Sequence, residues 1–195
     1  MADTDRMPVT LEEVLSAAQF MRGFDRQWWV AGGWAIDLWL GRVTREHSDL
    51  EISVWREDQL ALREFWHGWD WLTPRDREWV KWDGTFLELP EHQLMARREG
   101  REVEFFLNER ADGEWVSRRD ARIRVPEQKL VTVSERWDVP VIVPEVQLLY
   151  KAKYVRDKDR RDYACAIQRL GEGEKRWLKE ALAMVHPGHE WGKFE

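Results

Sequence analysis

The sequence predicts an α/β (α+β) fold, in which a mixed β-sheet flanked by helices is followed by a small C-terminal helical part. Apolar and polar residues alternate at residues 49–54 and 101–107, which is the pattern of strands with one buried face. Between such segments, apolar residues recur at helical spacing. After residue 143 only helical spacing remains, so we expect the sheet to precede the C-terminal helices.

Local start and stop signals define the first elements. Thr10 and Glu13 have the spacing of a capping box and predict a helix that ends near Gly23. Residues 28–31, Trp-Trp-Val-Ala, predict a strand, and the apolar residues at 34–40 predict a second helix. A pair of glycines separates this strand from this helix.

The next elements continue the sheet. Residues 57–67 predict a helix, and aromatic and β-branched residues at 69–89 predict strands with a break at Thr73-Pro74. The alternation at 102–107 predicts a further strand, and short apolar runs between residues 115 and 125 predict edge strands.

The character of the sequence changes at residues 139–144, Val-Pro-Val-Ile-Val-Pro. Pro144 is favoured in the first turn of a helix, and apolar residues follow it at helical spacing. We therefore predict a first domain at residues 1–140 and a C-terminal helical subdomain at residues 141–195, with a cleft between them.

Composition predicts an ordinary soluble protein, and we expect a monomer or homodimer. Of the 195 residues, 43% are hydrophobic and 35% are charged, and no apolar run is long enough to cross a membrane. The acidic start, residues 1–5, lacks the basic and apolar regions of a signal peptide, so we expect a cytoplasmic protein without membrane partners. The single cysteine, Cys165, excludes an internal disulfide.

The formal net charge of -6 bears on the partners of the chain. Proteins that bind nucleic acid through its phosphates usually carry a basic surplus, so no nucleic-acid partner is expected. An acidic surface attracts a polycationic small molecule instead. The glutamates that would form this surface are Glu88, Glu91, Glu102 and Glu104.

The chain has 14 tryptophans, which is an unusually high number. Because tryptophan buries a large apolar area, we expect most of them in the core. Trp34 and either Trp79 or Trp82 are candidates for lining a ligand pocket.

Two short motifs carry the candidate chemistry. Gly32-Gly33 lies between a strand and a helix, where backbone N–H groups at a helix N-terminus bind phosphate. Asp49 and Glu51 are two residues apart, so on a strand both carboxylates face one side and suit a divalent metal. The alternative for this acidic pair is a solvated strand face.

Three segments, GGWAID at 32–37, LGRVTR at 40–45 and HSDLE at 47–51, resemble the polymerase-β-type nucleotidyltransferase superfamily. Within it they are most similar to the aminoglycoside 2''-nucleotidyltransferases. The resemblance implies a nucleotidyltransferase-like fold, with Asp49 and Glu51 as catalytic metal ligands. The antibiotic-modifying members usually carry Asp at the position of Glu51.

The same resemblance implies a third acid between two hydrophobic residues. Glu104 fits because Val103 and Phe105 flank it, whereas Glu102 does not. The resemblance makes Glu104 a metal ligand and the general base. A surface strand with exposed glutamates is the alternative.

The resemblance also implies cations near the phosphates of the nucleotide. Arg45 precedes the acidic strand, and Lys151 opens a charge-rich stretch in the helical part. Lys151 and Lys158 are seven residues apart, which predicts a shared helix face toward the triphosphate. A solvated helix with paired charges is the alternative.

Together these features imply a nucleotidyltransferase that uses Mg²⁺ and ATP, or another nucleoside triphosphate. The phosphates are expected on Gly32-Gly33, and AMP is expected to pass to a hydroxyl of a small molecule. The first-choice acceptor is an aminoglycoside and the second a lincosamide. A binding module for nucleotides or partners that has lost turnover remains an alternative, whereas an RNA-modifying or toxin-type member would need a more basic surface.

Overall fold

A mixed β-sheet with helices packed against it forms the centre of the structure, a computed structural model that describes residues 7–193. Within these residues the strands are β1 (Trp28–Ala31), β2 (Glu51–Trp55), β3 (Asp70–Arg75), β4 (Glu78–Lys81), β5 (Gln93–Arg98), β6 (Arg101–Ala111), β7 (Glu114–Val116), β8 (Arg124–Pro126), β9 (Val131–Val133) and β10 (Pro140–Ile142). The α-helices are α1 (Leu11–Met21), α2 (Gly32–Leu40), α3 (Gln59–Phe65), α4 (Glu127–Leu130), α5 (Pro144–Lys151), α6 (Asp157–Ala166) and α7 (Glu172–Val185).

The strand order of the sheet is β4-β3-β5-β6-β2-β1-β10-β9, and β7 and β8 extend it from β6. Strand β2 runs parallel to β6 and antiparallel to β1, and β1 runs parallel to β10. The predicted mixed sheet flanked by helices is therefore confirmed. No helix among the described residues is both long and apolar enough to pass through a lipid bilayer.

The start of α1 and the end of α2 follow from local sequence signals. The N–H of Glu13 donates to Oγ1 of Thr10 at 3.3 Å, and the Thr10 N–H donates to Glu13 Oε2 at 2.8 Å, so the capping box starts α1. Helix α2 ends at Gly41, whose φ of +72° is the left-handed conformation that glycine adopts readily.

Other predictions from the sequence were wrong or incomplete. Strand β3 continues through Thr73-Pro74, and the chain turns at Asp76 and Arg77, which both have positive φ. Pro74 is tolerated because β5 pairs with β3 only as far as Leu72, so one side of the strand is unpaired beyond that residue. The alternation analysis missed β5, β9 and β10.

The predicted domain boundary at residues 140 and 141 falls inside a strand. Strand β10 pairs with β1 through Val141 and Val30, so the helical part begins at Pro144. Buried residues of both parts belong to one hydrophobic core, including Ile52 of the sheet and Leu178 of α7. The division into two domains stays a prediction.

Lys151 and Lys158 do not share a helix face, contrary to the sequence prediction. Helix α5 ends at Lys151, and α6 begins only at Asp157. The chain is extended at Arg156, with φ -99° and ψ 168°, and the Arg156 N–H donates to Asp159 Oδ2 at 3.1 Å. This N-terminal capping interaction starts a new helix and interrupts the helical spacing.

The tryptophans mainly fill the core, as predicted. Trp29 and Trp55 are almost fully buried and pack edge to face, with ring centroids 5.0 Å apart. Trp34 is 2% exposed and packs against the ring of His47. Trp82 is also buried and lines a cavity of about 280 Å³, whereas Trp79 is half-buried.

Glu145 is an acid whose burial predicts a pH-dependent stability. Its Oε2 is buried without a hydrogen-bond partner, and burial, together with the charge of Glu174, raises its pKa to about 7. The folded state therefore holds this proton more tightly than the unfolded state, so stability falls as the pH rises from about 4.5 through 7.

We expect Glu145→Gln to raise the free energy of unfolding by about 1–3 kcal/mol at pH 8 and by much less at pH 5. Thermal unfolding of both proteins at the two pH values measures this. An equal difference between parent and variant at pH 5 and pH 8 would show that Glu145 does not titrate in this range.

Candidate active site

The glycine turn joins β1 to α2 and is enclosed by side chains from other elements. Gly32 has a φ of +69°, a conformation that residues with a Cβ rarely adopt. Its N–H donates a hydrogen bond to Oε1 of Gln147 on α5 at 2.8 Å. A Cβ on Gly32 would overlap with the carboxylate of Glu51, and one on Gly33 would overlap with the guanidinium of Arg45. The turn therefore requires glycine at both positions.

The acids of two neighbouring strands lie side by side. Glu51 on β2 and Glu104 on β6 are paired residues of parallel strands, and such neighbours project to the same face of a sheet. The N–H of Glu104 donates to the carbonyl of Leu50 at 3.0 Å. Strand β2 begins at Glu51, so Asp49 lies two residues before the strand instead of on it.

Asp49 also lies close enough to act on Glu51 electrostatically. The pKa of Glu51 is raised to about 7, first because burial disfavours its charged form, and then because Asp49 and Glu104 add negative charge. The positive charges of Lys151 and Lys158 oppose this rise. Glu104 in turn accepts a hydrogen bond from another strand residue, Gln93, at 2.7 Å.

The chemistry of these side chains fits a hard divalent cation. Mg²⁺ prefers oxygen ligands, and a bound positive charge would offset the negative charge that Asp49 and Glu104 add around Glu51. Between residues 7 and 193, no group of three or more His, Cys, Asp or Glu side chains is already arranged around a metal position. The assignment of Asp49, Glu51 and Glu104 as metal ligands therefore stays a prediction.

The two predicted phosphate-binding cations meet at one buried carboxylate. Arg45 donates from Nε and Nη2 to the two carboxylate oxygens of Asp162, at 2.7 and 2.8 Å. Nζ of Lys151 lies 2.8 Å from Asp162 Oδ2 and 3.2 Å from Asp159 Oδ1. Burial opposes ionisation of Asp162, but the hydrogen bond from Arg45 and the charge of Lys151 outweigh it and lower its pKa.

A cleft of about 330 Å³ lies in front of this network and is lined by residues of both the sheet and the helical part. Glu51 and Asp159 are the acids among its lining residues. Its basic lining residues are Arg118, Arg119, Lys151, Lys153 and Arg156. A cleft with this surplus of positive charge attracts an anionic ligand.

Most of these bases were not predicted from the sequence, which indicated acids at the site. None of the four predicted glutamates, Glu88, Glu91, Glu102 and Glu104, lines the cleft, and Glu102 is paired with Arg97. The cleft is therefore basic, contrary to the acidic surface predicted from the glutamates.

Several residues of the site were missed because their roles depend on tertiary contacts. The guanidiniums of Arg118 and Arg119 lie 4.6 and 4.7 Å from the ring centroid of Tyr150. The Arg-Arg pair directly after an edge strand was the available signal for this cluster. Gln147 and Asp162 gave no local signal, since each contacts a residue more than one hundred positions away.

Comparison with known proteins identifies the family. The model of the aminoglycoside-2''-adenylyltransferase family matches residues 13–165, well over half of the chain. A 2''-aminoglycoside nucleotidyltransferase of Escherichia coli is 45% identical over 49 residues, which are 25% of this chain and 27% of that protein. A protein of the same description from Klebsiella pneumoniae matches to the same extent. The chain thus spans about a quarter of the length of the curated relatives it matches.

Solved structures of antibiotic adenylyltransferases share the fold. ANT(2'')-Ia in complex with adenylyl-2''-tobramycin has a TM-score of 0.62 and 20% identity, covering 90% of this chain and 99% of that chain. Lincomycin-bound LnuA, a lincosamide antibiotic adenylyltransferase, has a TM-score of 0.61 and 18% identity, covering 84% and 100%. Together with the family match, the nucleotidyltransferase fold and the placement of the two glutamates at the glycine turn lead to one conclusion. The chain belongs to the aminoglycoside-2''-adenylyltransferase family.

Proposed function

We propose that the protein is a metal-dependent nucleotidyltransferase that transfers AMP from ATP to a hydroxyl of a small molecule, with an aminoglycoside as the first candidate acceptor. The observation that carries this proposal is the pairing of Glu51 with Glu104 on parallel strands beside Gly32. Family membership supports the same chemistry. We further propose a cytoplasmic location, without membrane or nucleic-acid partners.

The basic cleft would bind the triphosphate. Lys151 and Arg156 line it close to Glu51, and the N-terminus of α2 adds backbone N–H groups. Charge-assisted hydrogen bonds from these groups would fix the α-phosphorus near the acids. Of the predicted phosphate-binding residues, Gly32, Gly33 and Lys151 would contact the phosphates directly. Arg45 would act indirectly, through its hydrogen bonds to Asp162.

The acids would carry the chemical step. Asp49, Glu51 and Glu104 would hold Mg²⁺, which when bound neutralises charge on the phosphates and on the departing pyrophosphate. Glu104 would take the proton of the acceptor hydroxyl as that oxygen attacks the α-phosphorus in line. The bond from the α-phosphorus to the bridging oxygen breaks, and pyrophosphate leaves.

A lincosamide is the second candidate acceptor, and the charge of the cleft favours it. Arg118, Arg119 and Lys153 line the cleft. They would repel an acceptor with many ammonium groups more strongly than one with few. Of the two related structures, one is described with adenylyl-2''-tobramycin and the other with lincomycin.

An acceptor screen tests the proposal. The protein is incubated with Mg²⁺, ATP and single aminoglycosides or lincosamides, and each acceptor is analysed by mass spectrometry. We expect at least one acceptor to gain the mass of one AMP, with release of one pyrophosphate per product. ATP binding without turnover of any acceptor would contradict transfer and favour a nucleotide-binding module.

A further inference from the structure

Asp162 is the buried carboxylate at which two segments of the proposed site converge. It lies on α6, its side chain is 0% exposed, and Arg45 and Lys151 both bind it. Arg45 belongs to the loop before β2, and Lys151 is the last residue of α5. One side chain therefore connects three separate segments of the chain.

Three of the five N–H donors of Arg45 are bound within the protein. Its Nε and Nη2 donate to Asp162, and its Nη1 donates to the carbonyl of Glu46 at 2.9 Å. Its side chain is 9% exposed and occupies the space beside Gly33. Arg45 is also not a lining residue of the cleft. Its position beside Gly33, outside the lining of the cleft, therefore supports the glycine turn.

Lys151 differs from Arg45 because it lines the cleft. An ammonium group has three N–H donors, and Asp159 and Asp162 accept two of them. The third donor remains for a phosphate oxygen. The direction of this donor depends on where the two carboxylates hold the ammonium group.

We propose that Asp162 is a positioning residue that fixes Lys151 toward the triphosphate and couples it to the glycine turn through Arg45. This inference rests on the proposed function, because it assumes that a nucleotide binds in the cleft. The carboxylate neutralises the repulsion between the two cations and sets their separation. Without its charge, Lys151 would turn toward Asp159, and Arg45 would lose its contact with α6.

Isothermal titration of ATP with Mg²⁺ tests this coupling. We expect Asp162→Asn to weaken ATP binding by about tenfold or more. In the parent, the loss of ATP affinity in the double variant Arg45→Met/Lys151→Met should differ by about fivefold or more from the product of the two single losses, although neither residue is bonded to the other. In the Asp162→Asn background the same two changes should become additive. A residue needed only for stability would lower the melting temperature without changing this coupling.

Two controls separate charge loss from position. Asp138→Asn makes the same change at an exposed carboxylate and should leave ATP binding unchanged. Asp159→Asn also removes a partner of Lys151, but Asp159 does not bind Arg45, so the coupling between Arg45 and Lys151 should persist. If Asp162→Asn does not fold, Arg45→Met alone remains informative, and unchanged ATP binding in that variant overturns the inference.

The outcomes also distinguish this inference from the proposed function. Normal ATP binding by Asp162→Asn, or coupling that persists in its background, overturns the positioning role alone. Failure of the parent protein to bind ATP at all overturns the proposed function, and the inference falls with it.

Discussion

Replacing Asp49 by alanine is expected to reduce nucleotidyl transfer by about a thousandfold or more, corresponding to about 4 kcal/mol of transition-state stabilisation. Asp49 acts on Glu51 electrostatically beside the parallel pair of Glu51 and Glu104. Removal of one of three carboxylates takes away a ligand of the proposed Mg²⁺ and leaves the phosphate charge less compensated. The measurement is the rate of AMP transfer to the best acceptor of the screen at saturating ATP.

The same variant has a second readout that does not need turnover. The pKa of Glu51 should fall from about 7, because one of the charges that raise it is gone, although burial, the largest cause, remains. A pH titration followed by NMR of the Glu51 carboxyl group measures this. Asp25→Ala, at an exposed residue paired with Arg26, is the matched control and should keep the parent rate. An Asp49→Ala protein that transfers AMP as fast as the parent would show that Asp49 is not part of the metal site.

Gly32→Ala is expected to have the second largest effect, on both folding and activity. The left-handed backbone alone costs about 1–2 kcal/mol with a Cβ, and the added methyl would also overlap with the carboxylate of Glu51. The free energy of unfolding should therefore fall by at least about 2 kcal/mol. Because Glu51 must move, AMP transfer should fall by at least about a hundredfold. Denaturant unfolding and the transfer assay measure the two effects.

The overlap and the backbone strain can be separated by a second change. Glu51→Asp in the Gly32→Ala background should recover part of the stability, because the shorter side chain moves the carboxylate away from the added methyl group. The cost of the positive φ at residue 32 would remain. Gly173→Ala, in α7 with open space around it, is the control and should be neutral or stabilising by up to about 1 kcal/mol. Equal losses at Gly32 and Gly173 would contradict this account of the turn.

The centre of the site was predictable because its signals are local. The Gly32 turn, strand β1 and helix α2 are adjacent in sequence, and the glycine pair and Gly41 mark the two ends of the helix. The buried face of β6, which includes Phe105, was also predicted correctly, and this prediction placed Glu104 on the opposite face. The strand pairing in the structure then brought Glu51 and Glu104 together as the resemblance implied.

The remainder depends on contacts between distant parts of the chain. Strands β9 and β10 are three residues each, too short for alternation to be recognised, and β10 is defined by its pairing with β1. The basic character of the cleft arises because Arg118, from the end of the sheet, faces Lys151 and Arg156 of the helical part. Net charge cannot reveal such a local surplus, since it averages over the whole surface.

The pairing of β10 with β1 also limits how this chain can recombine with its relatives. The last strand of the sheet core and the first helix of the C-terminal part are separated only by Val143. A genetic crossover upstream of residue 140 would combine β1 of one parent with β10, Gln147 and Asp162 of another. Viable chimeras should therefore inherit the glycine turn and the C-terminal helices from the same parent.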